Sequence, residues 1–367
     1  MLQQLKKIGK QVLFLEAHEN NSRNGEGAFI RLKNHSIMFA FSEFLEGSGM
    51  DEDEARISAV FSYDEGETWQ DKRVLFTKKK DAMNIMSVSM LRMQDEEIAV
   101  FYCEKYMEEN GIITDKMYMK ISRDEGETWE KEVRCFEEDG YHVMNNDRVI
   151  RLKSGRILIP IARHSATGYD INTRILEPGV AVFSVSDDNG KTWYTVSQAV
   201  QSPFQDNVQF QEPGVYQHED GTVWLWVRTQ YGCQYMSFSE NDGETWSAPV
   251  PGLFFSSPTS PMQVKKVGEY TLAIFNPVPE YCGRDKEREP WGRTPLVCAV
   301  STSDGNTHDE KSFKKLFYLE NDWNDGYCYP AIFDGGDYFL TAYYHSNGTG
   351  HCLNSTKVVK VKFEELE

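Results

Sequence analysis

The side chains of this 367-residue chain that could do chemistry stand singly at the ends of apolar segments. Glu212 precedes Pro213 at the opening of an apolar strand, where a carboxylate has little structural reason to be. Arg228 ends the next apolar strand. A carboxylate can act as an acid or a base, and a guanidinium can hold an anion through two parallel hydrogen bonds. These residue types favour a site for an anionic ligand.

The histidines and cysteines are spaced too irregularly for a metal site. The eight histidines form no H-x-x-x-H or H-E-x-x-H pattern, and the seven cysteines form no C-x-x-C pair. The sequence also lacks a glycine-rich phosphate loop, a nucleophile elbow and a dinucleotide-binding motif. We therefore predict an activity that needs no metal ion and no cofactor.

The charge balance limits the partners. The chain has 39 Lys and Arg against 57 Asp and Glu, which gives a net charge of −18. Because a face that binds a phosphate backbone usually carries positive charge, a nucleic acid and an anionic membrane are both disfavoured. An anionic small substrate is compatible if local arginines overcome the overall field. Dispersed cysteines and the lack of a long apolar run favour a cytoplasmic location, although a trimmed secreted chain would look the same.

A short motif, Ser-x-Asp-x-Gly-x-Thr-Trp, recurs along the chain. Three copies are complete, a fourth has Asn at the Asp position, and a fifth has lost both Asp and Trp; they are Ser62–Trp69, Ser122–Trp129, Ser186–Trp193, Ser239–Trp246 and Ser301–His308. The Asp accepts hydrogen bonds from its own turn, the Gly permits a positive φ, and the Trp fills space between sheets. The motif predicts a structural turn and no active site.

A second repeat alternates with the first. Six units each contain an apolar strand, a polar turn and a very apolar strand, and they are Gly27–Glu43, Ser87–Glu104, Asn146–Arg163, Glu212–Arg228, Ser260–Asn276 and Tyr329–Tyr344. Six such units predict an all-β, six-bladed β-propeller that forms a single domain over residues 1–367. We expect the ring to be closed by pairing of Gln11–Ala17 with Thr356–Phe363, which removes free sheet edges.

These repeats resemble the Asp-box (BNR) repeats of the sialidase (neuraminidase) superfamily over almost the whole chain. The resemblance implies a Glu, two arginines and a Tyr, in that chain order, at one end of the channel. Glu212, Arg228, Arg293 and Tyr329 match these positions. It further implies an exo-acting glycoside hydrolase that releases a terminal acidic sugar, sialic acid or a related one, with retention of configuration. The expected partner is an acidic monosaccharide or a glycan, and the oligomeric state stays open.

The implied roles are chemically reasonable. Tyrosine is a poor nucleophile at its ordinary pKa near 10, so Tyr329 would need Glu212 as a base. A phenol also avoids the repulsion that a carboxylate nucleophile would meet from an anionic substrate. Arg228 and Arg293 would hold the carboxylate of the sugar.

Two assignments stay open at this level. A second acid must protonate the leaving oxygen, and Asp51 and Asp53, in the loop after the second strand of the first unit, are the candidates. Tyr327 competes with Tyr329 for the role of nucleophile, because residues two apart on a strand face the same side.

The third unit opens with polar residues that we expect at the channel mouth. Asn146 and Arg148 are predicted to contact the substrate. His142 and His164 flank the same unit and could hydrogen-bond a ligand.

One position departs from the family pattern. The family's first arginine stands in an Arg-Ile-Pro sequence, and here Gly25 aligns with that arginine. Arg23 lies two residues earlier and could reach inward, whereas Glu26 would oppose a carboxylate. The departure leaves two alternatives to a sialidase: a hydrolase of a different sugar acid, or a non-catalytic carbohydrate-binding propeller.

Overall fold

The computed structural model describes residues 4–174, 176–204, 210–278, 293–302, 312–349 and 352–367. The protein is all-β, with 53% of its residues in strands and 3% in helices. The strands form six antiparallel sheets, arranged as the blades of a propeller. The predicted fold class is confirmed. Most of the fifth motif copy, Ser301–His308, lies outside the described residues.

The first three blades follow one another along the chain after the first strand, β1 (Lys10–Leu15). Blade one contains β2 (Arg23–Arg31), β3 (Ile37–Phe44), β4 (Ala55–Ser62) and β5 (Gln70–Thr77). Blade two contains β6 (Asn84–Arg92), β7 (Ile98–Met107), β8 (Ile112–Ser122) and β9 (Glu130–Arg134). Blade three contains β10 (Tyr141–Val143), β11 (Ile150–Arg151), β12 (Ile157–Ser165), β14 (Val180–Ser186) and β15 (Tyr194–Thr195), while β13 (Tyr169–Asp170) joins blade two.

The last three blades have four strands each. Blade four contains β16 (Gln211–Gln217), β17 (Val223–Arg228), β18 (Cys233–Ser239) and β19 (Val250–Ser256). Blade five contains β20 (Gln263–Val267), β21 (Tyr270–Phe275), β22 (Leu296–Ser301) and β23 (Lys315–Glu320). Blade six contains β24 (Tyr327–Asp334), β25 (Tyr338–His345), β26 (Ser355–Lys362) and β1. Two short 3₁₀ segments, Glu109–Gly111 and Phe363–Leu366, complete the regular structure of the described chain.

The N-terminal strand closes the ring. β1 pairs antiparallel with β26, with Lys10 opposite Lys360 and Leu15 opposite Thr356. This is the pairing predicted from the sequence. The first strands of neighbouring blades contact one another around the channel, so β2 packs against both β6 and β24. Residues on these first strands are therefore the ones that can meet in the centre.

The Asp-box motifs hold neighbouring blades together. In the first copy, Asp64 Oδ1 accepts hydrogen bonds from Ser62 Oγ and Thr68 N, both at 2.9 Å. The Trp of each later copy packs on the preceding blade: Trp193 lies edge-on against Phe101 and Trp246 stacks on Phe183, in pairs whose ring centroids are 6.0 Å and 4.4 Å apart. The motif is thus a structural turn, as its composition predicted. No helix in the described part of the chain combines the length and the apolar character needed to cross a lipid bilayer.

Blade one contains a buried carboxylate whose loss should weaken the fold. Glu43 accepts hydrogen bonds from Arg56 Nε at 2.7 Å and Ser58 Oγ at 2.5 Å, and its other oxygen lies 2.5 Å from Lys72 Nζ. Burial opposes ionisation, but these bonds lower the pKa of Glu43 to about 2. We expect Glu43→Gln to reduce the free energy of unfolding by about 2 kcal/mol at pH 7, measured by urea denaturation.

The pH dependence and a surface variant check this prediction. Because the pKa is lowered in the folded state, the contribution is complete above the unfolded pKa of about 4.3 and is lost as the pH falls toward 2. The difference between wild type and Glu43→Gln should therefore shrink at pH 3. Glu67→Gln, which removes the half-exposed partner of Lys360, should cost less than about 1 kcal/mol. Equal stability of Glu43→Gln and wild type at pH 7 would contradict the assignment.

Candidate active site

The first strands of four blades share an irregularity at the same end of the channel. In β2, β6, β16 and β24, two residues interrupt the pairing register with the next strand. The first residue of each pair is Glu26, Ser87, Glu212 or Tyr329, with φ of 52°, 64°, 46° and 58°, and all four side chains line one pocket. A left-handed backbone is costly for these residue types and tends to persist where it serves a function.

Tyr329 and Glu212 form the centre of this pocket. The Tyr329 hydroxyl donates a hydrogen bond to Glu212 Oε1 at 2.5 Å. Arg228 Nη1 lies 2.8 Å from the same carboxylate oxygen and 3.4 Å from the phenolic oxygen. Pairing of Gln211 with Arg228 between β16 and β17 places the guanidinium beside the carboxylate. The second oxygen of Glu212, Oε2, is buried and has no hydrogen-bond partner within the described ranges.

Arg293, just before β22, also lies beside the phenol, and it shares a contact residue, Thr259, with Arg228. Its guanidinium is 5.6 Å from the centroid of the Tyr329 ring. Nη1 contacts the thiols of Cys328 and Cys352 at 3.3 and 3.5 Å, and Nη2 donates to the Thr259 carbonyl at 3.4 Å. Within the described ranges, no carboxylate forms an ion pair with Arg293. Its charge is therefore open to an anionic ligand.

The proton of the central pair resides on the phenol. Burial raises the pKa of Tyr329 well above its ordinary value, and the Glu212 charge adds to this, although Arg228 and Arg293 oppose it. Burial also disfavours the ionised form of Glu212, but the charge and hydrogen bond of Arg228 lower its pKa overall. The pair thus combines a neutral phenol with a charged carboxylate, which is the arrangement in which Glu212 can accept the proton of Tyr329.

The two aspartates proposed as general acid occupy different environments. Asp51 lines the pocket, where its Oδ1 accepts a hydrogen bond from Arg23 Nη1 at 2.6 Å and its Oδ2 lies 3.6 Å from Lys105 Nζ. Partial burial opposes ionisation, but Lys105 and Arg23 hold the pKa of Asp51 well below its ordinary value. Asp53 accepts hydrogen bonds from a serine hydroxyl and two backbone N–H groups of its own turn at 2.7–3.2 Å. It is not among the residues that line the pocket.

Arg23 is fully occupied by protein groups. Its Nε donates to the Tyr344 hydroxyl at 2.6 Å, Nη1 bonds Asp51 and the Gly49 carbonyl, and Nη2 forms an ion pair with Glu26. The side chain is 1% exposed and does not line the pocket. The suggestion that Arg23 holds a substrate carboxylate therefore needs correction, because every guanidinium nitrogen already has a partner.

Tyr344 fills the space that an arginine at position 25 would need. A Cβ atom built on Gly25 would collide with the ring of Tyr344, closer than any van der Waals contact allows. The same ring packs edge-on against Tyr329 at 5.7 Å between centroids. The Tyr344 ring, with the Arg23 guanidinium 5.1 Å from its centroid, occupies the space that a side chain at position 25 would take.

This packing predicts a large effect of a single methyl group. Gly25→Ala should lower the free energy of unfolding by about 1–3 kcal/mol, because the buried Tyr344 ring, bonded to Arg23, cannot move without losing its own contacts. Gly252→Ala, in another strand where the nearest atom to the new Cβ is 3.0 Å away, should cost clearly less. Denaturant unfolding of both variants tests the difference. Equal stability of the two would show that the Tyr344 ring moves aside at little energetic cost.

A polar wall from blade three completes the pocket. His142 Nδ1 lies 3.1 Å from Asp115 Oδ1, and the His142 backbone N–H donates to the other oxygen of Asp115. Asn145 Oδ1 accepts the backbone N–H of Asn146 at 2.7 Å. His142 Nε2 and Asn145 Nδ2 are buried without hydrogen-bond partners in the described part of the chain, and both residues line the pocket. Buried polar atoms in this condition are costly, and a ligand hydroxyl or carbonyl would satisfy them.

Three other residues predicted to contact the substrate lie elsewhere. Asn146 Nδ2 donates to the Gly27 carbonyl at 2.9 Å, and Arg148 Nη1 donates to Gln263 Oε1 at 2.6 Å. Both side chains brace the channel between blades and do not line the pocket. Tyr327 is 1% exposed in the apolar core of blade six. These placements differ from the sequence expectation. Asn146 and Arg148 are bonded to other blades, and the bulge in β24 sends Tyr329 and Tyr327 into different surroundings.

The sequence analysis did not single out two residues that line the pocket, Ser87 and Lys105, or two that contact its lining, Asp115 and Tyr344. Ser87 occupies the repeat position of Glu212 and Tyr329, so an alignment of the six units could have found it. The other three carry no such signal. His164, considered as a ligand contact, instead has its Nδ1 2.9 Å from the Glu177 carbonyl and does not line the pocket.

Other features of the described chain make weaker sites. A wider depression of about 750 Å³ is lined by Arg31, Glu65, Tyr338 and Lys360. Its charges already pair with protein groups, such as Arg31 with Glu65 at 2.8 Å. No group of three or more His, Cys, Asp or Glu side chains in the described ranges is placed to hold a metal ion.

Comparisons with solved structures agree with this architecture. A protein of unknown function from Dyadobacter fermentans is 17% identical, with a TM-score of 0.71 over 96% of this chain and 99% of that one. The Hadza microbial sialidase Hz136 is 15% identical, with a TM-score of 0.72 over 98% of this chain and 69% of that one. The intramolecular trans-sialidase from Ruminococcus gnavus is 14% identical, with a TM-score of 0.71 over 97% of both chains. At these identities the likeness establishes the fold alone.

A family model gives the assignment. No curated protein matched the chain. The model described as a BNR repeat-like domain matches residues 37–345, which is well over half of the chain. This chain therefore belongs to the BNR repeat-like domain family and has the six-bladed propeller fold of the sialidase superfamily.

Proposed function

We propose that this protein is an exo-acting, retaining glycoside hydrolase of the sialidase type that releases a terminal acidic sugar from a glycan. The observation that carries the proposal is the hydrogen bond from the Tyr329 hydroxyl to the charged, buried Glu212 carboxylate. A neutral phenol that faces a carboxylate base is an activated nucleophile, and tyrosine nucleophiles are a recognised variant among glycosidases.

The two arginines support an anionic substrate. Arg228 and Arg293 both lie beside the phenol, and Arg293 has no carboxylate partner in the described part of the chain. A sugar carboxylate placed between them would form charge-assisted hydrogen bonds. It would also position the anomeric carbon near the Tyr329 oxygen, because the carboxylate is attached to the sugar ring that contains the reacting carbon.

The residues of blade one bear on which sugar acid the pocket accepts. Gly25 leaves no room for a third arginine, and Arg23 is held by Asp51, Glu26 and Tyr344. A carboxylate would thus be held by two guanidinium groups, with the carboxyl group of Glu26 in the same pocket. This favours, as a second candidate, a hydrolase of a sugar acid other than sialic acid.

A panel of p-nitrophenyl glycosides tests both candidates on the full chain. It would include a sialoside, a glycoside of another ulosonic acid, a glucuronide and a neutral glucoside as the control. We expect turnover of one acidic sugar and none of the glucoside. Turnover of a non-sialic acid alone would reject the sialidase assignment and keep the hydrolase.

Binding of an acidic sugar without turnover would also decide between the candidates. If no member of the panel is turned over but an acidic sugar binds in calorimetry, the protein is a carbohydrate-binding propeller and the catalytic proposal is rejected. Preference for the neutral glucoside would reject the role given to Arg228 and Arg293.

A further inference from the structure

The pocket carboxylates around Arg23 are poorly suited to protonate a leaving group. Asp51 pairs with both Arg23 and Lys105, and Asp53 is bonded to its own turn. Glu26 accepts hydrogen bonds through both oxygens, from Arg23 and from Ser87 Oγ at 2.6 Å. A general acid must carry a proton until the transition state, and the cations beside Asp51 favour its charged form. Burial raises the pKa of Glu26, but Arg23 and Ser87 already engage both of its oxygens.

Asp115 and His142 form a buried pair beside the pocket that takes no part in the reaction described so far. Asp115 binds both the Nδ1 edge of the His142 ring and the backbone N–H of the same residue, which fixes the orientation of the imidazole. The opposite edge, Nε2, is buried and has no hydrogen-bond partner among the residues that the structure describes. His142 is 1% exposed and lines the pocket together with Glu212 and Tyr329.

The ring geometry places this pair across from the nucleophile. In a six-bladed ring, blade three stands opposite blade six. The two meet across the channel, where the Ile332 N–H of β24 donates to Asp147 Oδ2 at 2.9 Å. His142 lies on blade three and Tyr329 on blade six. A retaining glycosidase needs its acid and its nucleophile on different sides of the scissile bond, and this arrangement supplies them.

We propose that His142, oriented by Asp115, is the acid–base residue of this site, an inference that rests on the hydrolase function proposed above. Imidazole is suited to both halves of such a reaction near neutral pH. Asp115 is a positioning residue, because it acts through His142 and does not line the pocket.

In the first half of the reaction, the Tyr329 oxygen attacks the anomeric carbon and its proton passes to Glu212. The bond from that carbon to the aglycone oxygen breaks with its electron pair on oxygen, which takes the Nε2 proton of the imidazolium. In the second half, water attacks the anomeric carbon and gives a proton to Nε2. The bond to Tyr329 breaks, and the phenolic oxygen recovers its proton from Glu212. The net change is glycoside plus water to free sugar plus alcohol.

The experiment compares two leaving groups on the sugar that the wild type accepts. A p-nitrophenyl aglycone needs no proton to leave, whereas lactose does. We expect His142→Gln to slow first-turnover cleavage of the lactose conjugate by about 10²–10⁴-fold and that of the p-nitrophenyl glycoside by less than about tenfold. Steady-state turnover of the p-nitrophenyl glycoside should then be restored by sodium azide, which attacks the sugar without a base.

Matched variants separate this role from a structural one. His164→Gln changes another buried histidine of blade three and should leave the ratio of the two rates unchanged. Asp115→Asn should show the same leaving-group dependence as His142→Gln in weaker form, which gives a second reading if His142→Gln does not fold.

Several outcomes would overturn the inference. Equal losses on both substrates in His142→Gln would do so, as would a leaving-group dependence that appears in Asp51→Asn instead. A wild type that cleaves neither conjugate would reject the proposed hydrolase itself, and this inference with it.

Discussion

Tyr329→Phe should reduce turnover of the accepted glycoside by on the order of 10³-fold or more while leaving the fold intact. The change removes one oxygen atom, and that oxygen is the proposed nucleophile. The ring keeps its edge-on contact with Tyr344 and its place under the Arg293 guanidinium. Substrate binding should therefore change little, so the effect should fall on kcat, measured by p-nitrophenol release.

The matched control lies two residues earlier. Tyr327→Phe removes the same atom from a side chain in the apolar core of blade six, and we expect its kcat to stay within a few-fold of wild type. A trapped covalent sugar adduct on Tyr329, seen by mass spectrometry with a fluorinated substrate, would give direct support. If Tyr329→Phe keeps full activity, the nucleophile lies elsewhere and the mechanism must be replaced.

Glu212→Gln should be the second most damaging change, with a loss in kcat of about 10²–10⁴-fold near neutral pH. Glutamine can still bond the Tyr329 hydroxyl but cannot accept its proton. The Glu212 charge raises the pKa of Tyr329, so its removal, with Arg228 and Arg293 still present, should lower that pKa. The loss should therefore become smaller as the pH rises, because the phenol ionises without help. A pH–rate profile measures this trend.

Glu43→Gln is the control for this substitution. It exchanges another buried, arginine-bonded glutamate outside the pocket, and it should lose stability but keep its turnover and its pH profile. If the loss of kcat in Glu212→Gln is the same at every pH, Glu212 serves only to hold Arg228 in place.

The scaffold was predictable from the sequence because its determinants are local and repeated. Each Asp-box encodes one turn through its own Asp, Gly and Trp, and each alternating strand pair encodes half a blade. Closure by β1 and β26 followed from two alternating segments near the chain ends. None of these inferences required knowledge of contacts between distant residues.

The pocket was only partly predictable, because its contents depend on packing between blades. Glu212 and Tyr329 could be proposed from their place in the repeat. The position of the Arg23 side chain could not be predicted, because it depends on Asp51 in a loop and on Tyr344 from the last blade. Asp115 reaches His142 from a neighbouring blade, and neither residue has a sequence pattern that links it to the other.

The left-handed residues at the four interrupted first strands carry the reactive side chains, whereas the paired residues around them build the sheets. Each of Glu26, Ser87, Glu212 and Tyr329 protrudes from its own sheet where the ladder is already interrupted. Exchanging one of these side chains alters the reactive surface without removing a rung of hydrogen bonds or a piece of apolar core. Divergence toward new substrates can thus proceed by point substitutions that leave the strand pairing of the scaffold in place.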